Sequence, residues 1–202
     1  MIETDLRGAR IGCAMTGSFC TFKPVFEAWR SLKNAGAELT PIMSFNACGL
    51  DTRFYPAKEA VSIFEEICGR KVLNRIEQVE PVGPKRLFDL LIVAPCTGNT
   101  ISKIAHAVTD TPVALAVKSH LRNGRPVLIA VSTNDALGGS AENIGRLLDK
   151  RSVYFVPFGQ DAPKEKPASC VAKFDRIPEA AYLALAGRQI QPILVQESQK
   201  TD

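Results

Sequence analysis

Residues 88–100 read FDLLIVAPCTGNT. The apolar run from Leu90 to Ala94 is continuous rather than alternating, which predicts a strand covered on both faces. It stops in a loop of small and hydroxyl residues, Pro95 to Thr100, and ISKIAHAV (101–108) then carries a helical pattern. A buried strand passing through such a loop into a helix is half of a βαβ unit, which predicts the same alternation elsewhere in the chain.

The repetition is there. ARIGCAM (9–15) reads as a short buried strand. TFKPVFEAWRSLKNAG (21–36) reads as a helix, with Phe22, Phe26, Trp29 and Leu32 at helical spacing and Gly36 at its end. ELTPIMS (38–44) is a second strand, its central pairing weakened by Pro41. After the polar loop FNACGLDTRFYP, a helix is expected near 57–69, followed by a loop with a short helix up to the 88–95 strand. Helices are expected over 99–107 and 111–124, a strand at PVLIAVS (126–132), and a helix at 140–150. SVYFVPF (152–158) reads as the last strand, and RIPEAAYLALAGR (176–188) as a final helix. Strands alternating with helices over short connections predict a single-domain α/β fold, Rossmann-like (flavodoxin-like), with a parallel sheet and helices on both faces. Residues 1–187 form that domain, with 157–173 as a mobile loop, and 188–202 a C-terminal tail.

Composition narrows the function classes. A chain of 202 residues with 46% apolar and 23% charged residues is ordinary for a globular domain. The formal net charge of +4 is mild, and the cations are scattered without interleaved aromatics, which argues against nucleic acid and favours a small anionic ligand. No apolar run approaches the ~18 residues of a membrane span, and the charged N-terminus is unlike a secretory signal. Six cysteines form no C-x-x-C pair and have no nearby His, so no metal site is expected, and reduced thiols in a cytoplasm are.

In an open parallel α/β sheet, ligands bind beyond the carboxyl ends of the strands. Four loops reach that edge: TGSFCTF (16–22), SFNA (44–47), PCTGNT (95–100) and STNDALGGS (132–140). They supply backbone N–H groups, hydroxyls and amides with little bulk. Nucleotide fingerprints are missing: there is no G-x-G-x-x-G, and GCAMTGS (12–18) has the glycine spacing of a phosphate loop without its lysine. No G-x-S-x-G elbow marks a serine hydrolase. His106 and His120 lie in helical patterns and read as packing or surface residues. Cys96, a thiol at a helix start, has no base beside it and reads as loop lining rather than as a nucleophile. The lysines of PKEKPASCVAK (163–173) either face solvent or close over a dicarboxylate. No residue is singled out as acid or base.

With these residues in hand, GSF (17–19), MSFNA (43–47) and above all APCTGNTISKIA (94–105) resemble the flavoprotein family of the cysteine decarboxylases and flavin prenyltransferases, over residues 8–157. The resemblance implies an FMN site that uses Gly17, Ser18, Phe19, Ser44, Asn46, Pro95, Cys96, Thr97 and Thr100. It implies substrate contacts at Asn99 and Asn134, and the loop lysines Lys166 and Lys173 join them. Nearly end to end, the chain resembles one branch of that family, a component of the enzyme that oxidises dihydrodipicolinate to dipicolinate during sporulation. That branch implies a mother-cell cytoplasm, a homo-oligomer, a small dicarboxylate substrate, and a partner subunit that brings NADP or NAD. Two departures from the decarboxylases stand out. Their His falls here on Pro81, and of their P-x-M-N-x-x-M-W motif only Asn134 survives. An FMN-dependent decarboxylase or flavin prenyltransferase is the alternative enzyme, and a non-catalytic partner protein the alternative of another class. Whether a flavin, a nicotinamide or the substrate alone fills the cradle stays open at this point.

Overall fold

The computed structural model describes residues 5–196; the ends of the expected domain and tail, 1–4 and 197–202, lie outside the described residues. In chain order the elements are β1 (Arg10–Met15), α1 (Phe22–Asn34), β2 (Glu38–Met43), α2 (Phe45–Gly49), α3 (Ala57–Cys68), α4 (Ile76–Val79) and β3 (Leu90–Cys96). They continue as α5 (Gly98–Ala105), α6 (Pro112–Leu121), β4 (Val127–Thr133), α7 (Ala141–Leu148), β5 (Val153–Phe155), β6 (Phe158–Gly159), β7 (Cys170–Ala172) and α8 (Ile177–Leu185).

β3 is buried at every position, as its unbroken apolar run demands of a strand with helices above and below. The parallel strands stand in the order β2-β1-β3-β4-β5. The chain moves outward one way from β1 to β2 and the other way from β3 to β5, so the switch point falls between β1 and β3. Pro41 is tolerated because β2 is the edge: its carbonyl faces outward to accept from Leu73 N, so its missing N–H also falls on the open side. α1 packs against α8, while α5 packs against both α6 and α7. α3 stacks Phe64 on Trp29 of α1, with ring centroids 6.0 Å apart. Gly12 belongs to packing and not to a phosphate loop, because a Cβ there would meet Phe88 and Leu91 at 2.6 Å.

Two expectations are corrected. SVYFVPF is not one strand. β5 ends at Phe155, and Phe158–Gly159 starts an antiparallel hairpin with β7, which pairs in turn with the carboxyl half of β4. Pro157 cannot donate to a ladder, and the chain changes partners there. The sheet is therefore mostly parallel with one antiparallel appendage. The loop at 45–49 is a short helix, α2, capped by Ser44, whose Oγ accepts from Ala47 N at 3.3 Å. The described part of the tail lies along β6: Phe158 N donates to Ile193 O, and Val195 N to Phe158 O. Gly159 permits this approach, since a Cβ there would sit 1.9 Å from Val195 O.

Candidate functional site

The carboxyl ends of β1, β2, β3 and β4 come together as one hydroxyl-lined edge. A register shift between Val93 and Cys96 puts a bulge in β3 against β4, and the bulged strand turns the Pro95 carbonyl toward β1. Thr16 N and Thr16 Oγ1 both donate to Pro95 O, at 3.2 and 2.7 Å, and Thr97 N donates to Thr16 Oγ1 at 3.0 Å. The crevice between β1 and β3 is thus stitched by one threonine. Thr97 caps α5, accepting from Thr100 N at 3.5 Å and donating to Thr100 Oγ1 at 3.2 Å. Across β3, Ser18 Oγ and Ser132 Oγ stand 2.8 Å apart. At β2, Ser44 N donates to Met15 O, and the Gly17 backbone lies against Phe19 and Asn46, which a Cβ would meet at 3.6 and 3.7 Å.

Gly17, Ser18, Phe19, Ser44, Asn46, Pro95, Thr97, Asn99 and Thr100 are therefore gathered on one edge. The Cys96 side chain is in it only from beneath: it is fully buried, and burial pushes its thiol well above the ordinary range, which removes it as a nucleophile. Asn134 Oδ1 accepts from Ser169 Oγ at 3.4 Å, tying the β4 loop to the hairpin, as does the bond from Leu137 N to Ala168 O. The two lysines stand farther off. Lys166 lies on the exposed hairpin loop, 3.7 Å from Asp161. Lys173 follows β7, which runs antiparallel back along β4, away from the edge.

Four residues of this edge were not singled out from sequence: Thr16, Ser132, Asp135 and Ser140. Each lay in a loop read as ligand-facing or beside one, yet nothing in the residue order says that Ser18 reaches Ser132 across an intervening strand. Asp135 is the carboxylate of the four loops. It accepts from Thr133 Oγ1 and, at 2.9 Å, from the buried Ser140 Oγ. Its Oδ1 crowds the start of α5, for a Cβ on Gly98 would meet Asp135 Oδ1 at 2.8 Å and Ser140 Oγ at 2.5 Å. The exposed side chains of Asn46 and Asn99 and the amide hydrogens of Asn134 have no partner among the described residues, so they are neutral donors aimed at solvent or ligand. Such a set suits carbonyl oxygens and anions without requiring a counter-charge, and it fits a flavin and its phosphate.

Both histidines are elsewhere. His106 caps the far end of α5, with Nδ1 on Ser102 O. His120 is buried, and its Nε2 lies 3.0 Å from Pro126 O at the amino end of β4. That carbonyl only accepts, so Nε2 carries the proton. Burial, first of all, lowers the His120 pKa to about 4. Among the described residues there is no cluster of potential metal ligands and no helix long and apolar enough to cross a membrane.

Comparison with known proteins gives the same edge a family. The B subunit of dipicolinate synthase from Bacillus subtilis is 45% identical over 199 residues, which is 98% of this chain and 100% of that one. The crystal structure of the dipicolinate synthase B subunit from Bacillus halodurans superposes with a TM-score of 0.88 at 40% identity, covering 96% of this chain and 100% of that chain. The FMN-dependent cysteine decarboxylase SpaF shares the fold, with a TM-score of 0.66 at 21% identity, over 90% and 97% of the two chains. The flavoprotein family model matches residues 2–175, a span that contains all four loops of the edge. With its switch-point crevice, its hydroxyl-lined strand ends and that match, the chain belongs to the flavoprotein family.

Proposed function

We propose that the chain acts as the B subunit of a dipicolinate synthase, contributing to the dehydrogenation of dihydrodipicolinate to dipicolinate. The observation that carries the reading is the 45% identity over 98% of the chain to a protein of that name. The departures at Pro81 and around Asn134 support it against a cysteine decarboxylase, because proline offers no side chain to move a proton. Its partner is the A subunit of dipicolinate synthase, which brings NADP or NAD, and its setting is the cytoplasm of a sporulating mother cell. A homo-oligomer is part of the same reading.

FMN is the cofactor proposed for the edge. Gly17, Ser18 and Ser44 would hold its phosphate, and Phe19, Asn46, Pro95, Thr97 and Thr100 would surround the rest, with Cys96 packed beneath. When bound, the flavin would supply a hydride acceptor. The chain's own task is then orientation. Asn99 and Asn134 would present amide donors to a dicarboxylate, while Lys166 and Lys173 stand farther off on the hairpin and would make no direct contact with it. Thr16 holds the β1 and β3 loops at fixed spacing, and Asp135, kept by two hydroxyls at the start of α5, is the carboxylate placed to accept a proton.

A second reading, a non-catalytic protein that stabilises the A subunit, is favoured by one observation: among residues 16–19, 44–47, 95–100 and 132–140 the only acidic or basic side chain is Asp135, and the Cys96 thiol is buried. Assay of dihydrodipicolinate oxidation by each of the two chains separately and by their mixture distinguishes the readings. The main reading expects activity that depends on this chain and falls at least about tenfold in Asn134→Ala, with the affinity between the two chains unchanged. Full activity of the A subunit without this chain overturns it.

A further inference from the structure

A cleft of about 300 Å³ opens between the C-terminal half of α5, α6 and the turn after α7. It lies at the opposite end of α5 from Thr97, roughly 10 Å along the helix at 1.5 Å per residue, so an occupant there leaves the cradle open. Its floor is apolar, with Ile104, Val117 and Leu121, and every charged residue lining it is a cation: Lys103, Lys118, Arg122 and Lys150. Lys103 is neutralised by both oxygens of Asp110 at 2.7 Å. Lys118, Arg122 and Lys150 are exposed and have no ion pair among the described residues.

The backbone at this cleft is also strained. α5 ends with Ala107 N on Ile104 O at 3.3 Å and Val108 N on Lys103 O at 2.9 Å, the paired bonds that place the residue before the last in the left-handed region. Glycine is usual there; this chain has Ala107 at φ 57°, a conformation that is unfavourable for an L-residue with a Cβ. Ala107 and Val108 both line the cleft, and Val108 is 43% exposed. Strain retained where glycine would relieve it, beside an exposed apolar side chain, points to a use for those side chains.

We propose that the α5–α6 cleft docks an acidic, amphipathic segment of the partner chain, whose apolar side chain enters between Val108 and Leu121 while its carboxylates meet Lys118, Arg122 and Lys150. The inference rests on the reading of this chain as one half of a two-component enzyme. Charge selects the occupant. A second copy docked about a two-fold axis would set one basic rim beside another, whereas an acidic segment satisfies three cations that have no counter-ion among the described residues.

The test is titration calorimetry of the full-length chain with the purified A subunit, in low and high salt, beside the dihydrodipicolinate assay of the mixture. Reversing the rim (Lys118→Glu, Arg122→Glu, Lys150→Glu) is expected to weaken binding at least about tenfold and to flatten its salt dependence. Val108→Ser is expected to weaken it severalfold with the salt dependence kept. All four side chains are exposed, and an unchanged melting temperature verifies the fold. Wild-type affinity in the reversed-charge variant overturns the proposal, as does a wild-type chain that does not bind the A subunit. If the mixture is active while the variants bind normally, the docking surface is wrong and the functional reading stands. An inactive, non-binding mixture defeats both. A change confined to the chain's own sedimentation mass means that a second copy occupies the cleft, and also overturns the proposal.

Discussion

The two ends of the sheet are built from opposite chemistries. At the amino end, Asp89 is gripped by Arg10 through Nη2 at 2.8 Å, Nε at 3.0 Å and backbone N at 3.0 Å, and by Arg125 Nη1 at 2.9 Å. One carboxylate thereby joins β1, β3 and the entry to β4, and the two guanidiniums hold it well below the usual carboxylate range. At the carboxyl end, apart from the Asp135 carboxylate that accepts from Thr133 and Ser140, the bonds run between neutral hydroxyls and carbonyls: Thr16 to Pro95, Ser18 to Ser132, Thr97 to Thr100. A saturated ion cluster has no capacity left for a ligand. Neutral hydroxyls can exchange a protein partner for a ligand oxygen at small net cost, because a hydrogen bond to either contributes about 1 kcal/mol. One end fastens the sheet, and the other is left able to bind.

Breaking the fastened end has the largest expected effect on stability. Asp89→Ala leaves two arginines without their carboxylate and should lower the unfolding free energy by about 2 kcal/mol, a value between those of exposed and buried pairs, as befits a carboxylate that is one-third exposed. Denaturant unfolding measures it, and FMN affinity should not change. Because the folded pKa of Asp89 is depressed, its contribution is fully present above the unfolded value near 4 and is lost as pH falls below that.

At the other end, Gly98→Ala drives a methyl toward Ser140 Oγ and Asp135 Oδ1. The expected cost is about 1–2 kcal/mol from overpacking, accompanied by weaker flavin binding because α5 must shift at its first turn. Loss of stability with unaltered flavin affinity would place the ligand elsewhere.

How much of this division was legible in the residue order varies by region. The β3 strand and its loop were, because the unbroken apolar run Leu90–Ala94 leaves few alternatives to a strand covered on both faces. The four loops were legible as a class, since strand ends on one side of a parallel sheet must share an edge. Ser132 as the partner of Ser18 was not, because the pair is separated by 114 residues and meets only once the sheet is closed. Asp135 escaped for the same reason, as its partners and the crowding at Gly98 are tertiary facts. The start of the β6–β7 hairpin reads in sequence as the end of one strand because Val156-Pro157-Phe158 continues the apolar pattern, while the proline changes the pairing. The basic rim of the α5–α6 cleft reads in sequence as scattered solvent-facing lysines.

His120 gives a test confined to acid pH at the amino end. Its folded pKa of about 4 lies below the unfolded value near 6.5, so the unfolded chain binds the proton first. Stability is fully present above about pH 6.5 and declines as pH falls toward 4, by about 1–3 kcal/mol. His120→Gln, which keeps a donor for Pro126 O, should remove that slope; an unaltered pH profile would show that another group sets it. The smallest effect belongs to Thr16→Val, which deletes the hydroxyl that stitches β1 to β3. It should cost about 1 kcal/mol, yet reduce flavin affinity by more than its stability loss alone would suggest.

The central claim, that the hydroxyl-lined edge between β1 and β3 holds a flavin, is tested most directly by the visible absorbance of the purified chain after reconstitution with FMN, recorded beside Gly17→Val. The account predicts bound-flavin bands that survive gel filtration in the wild type and are lost in a variant whose far-UV dichroism and melting temperature are unchanged. A chain that stays colourless after reconstitution, or a Gly17→Val variant as yellow as the wild type, would contradict it.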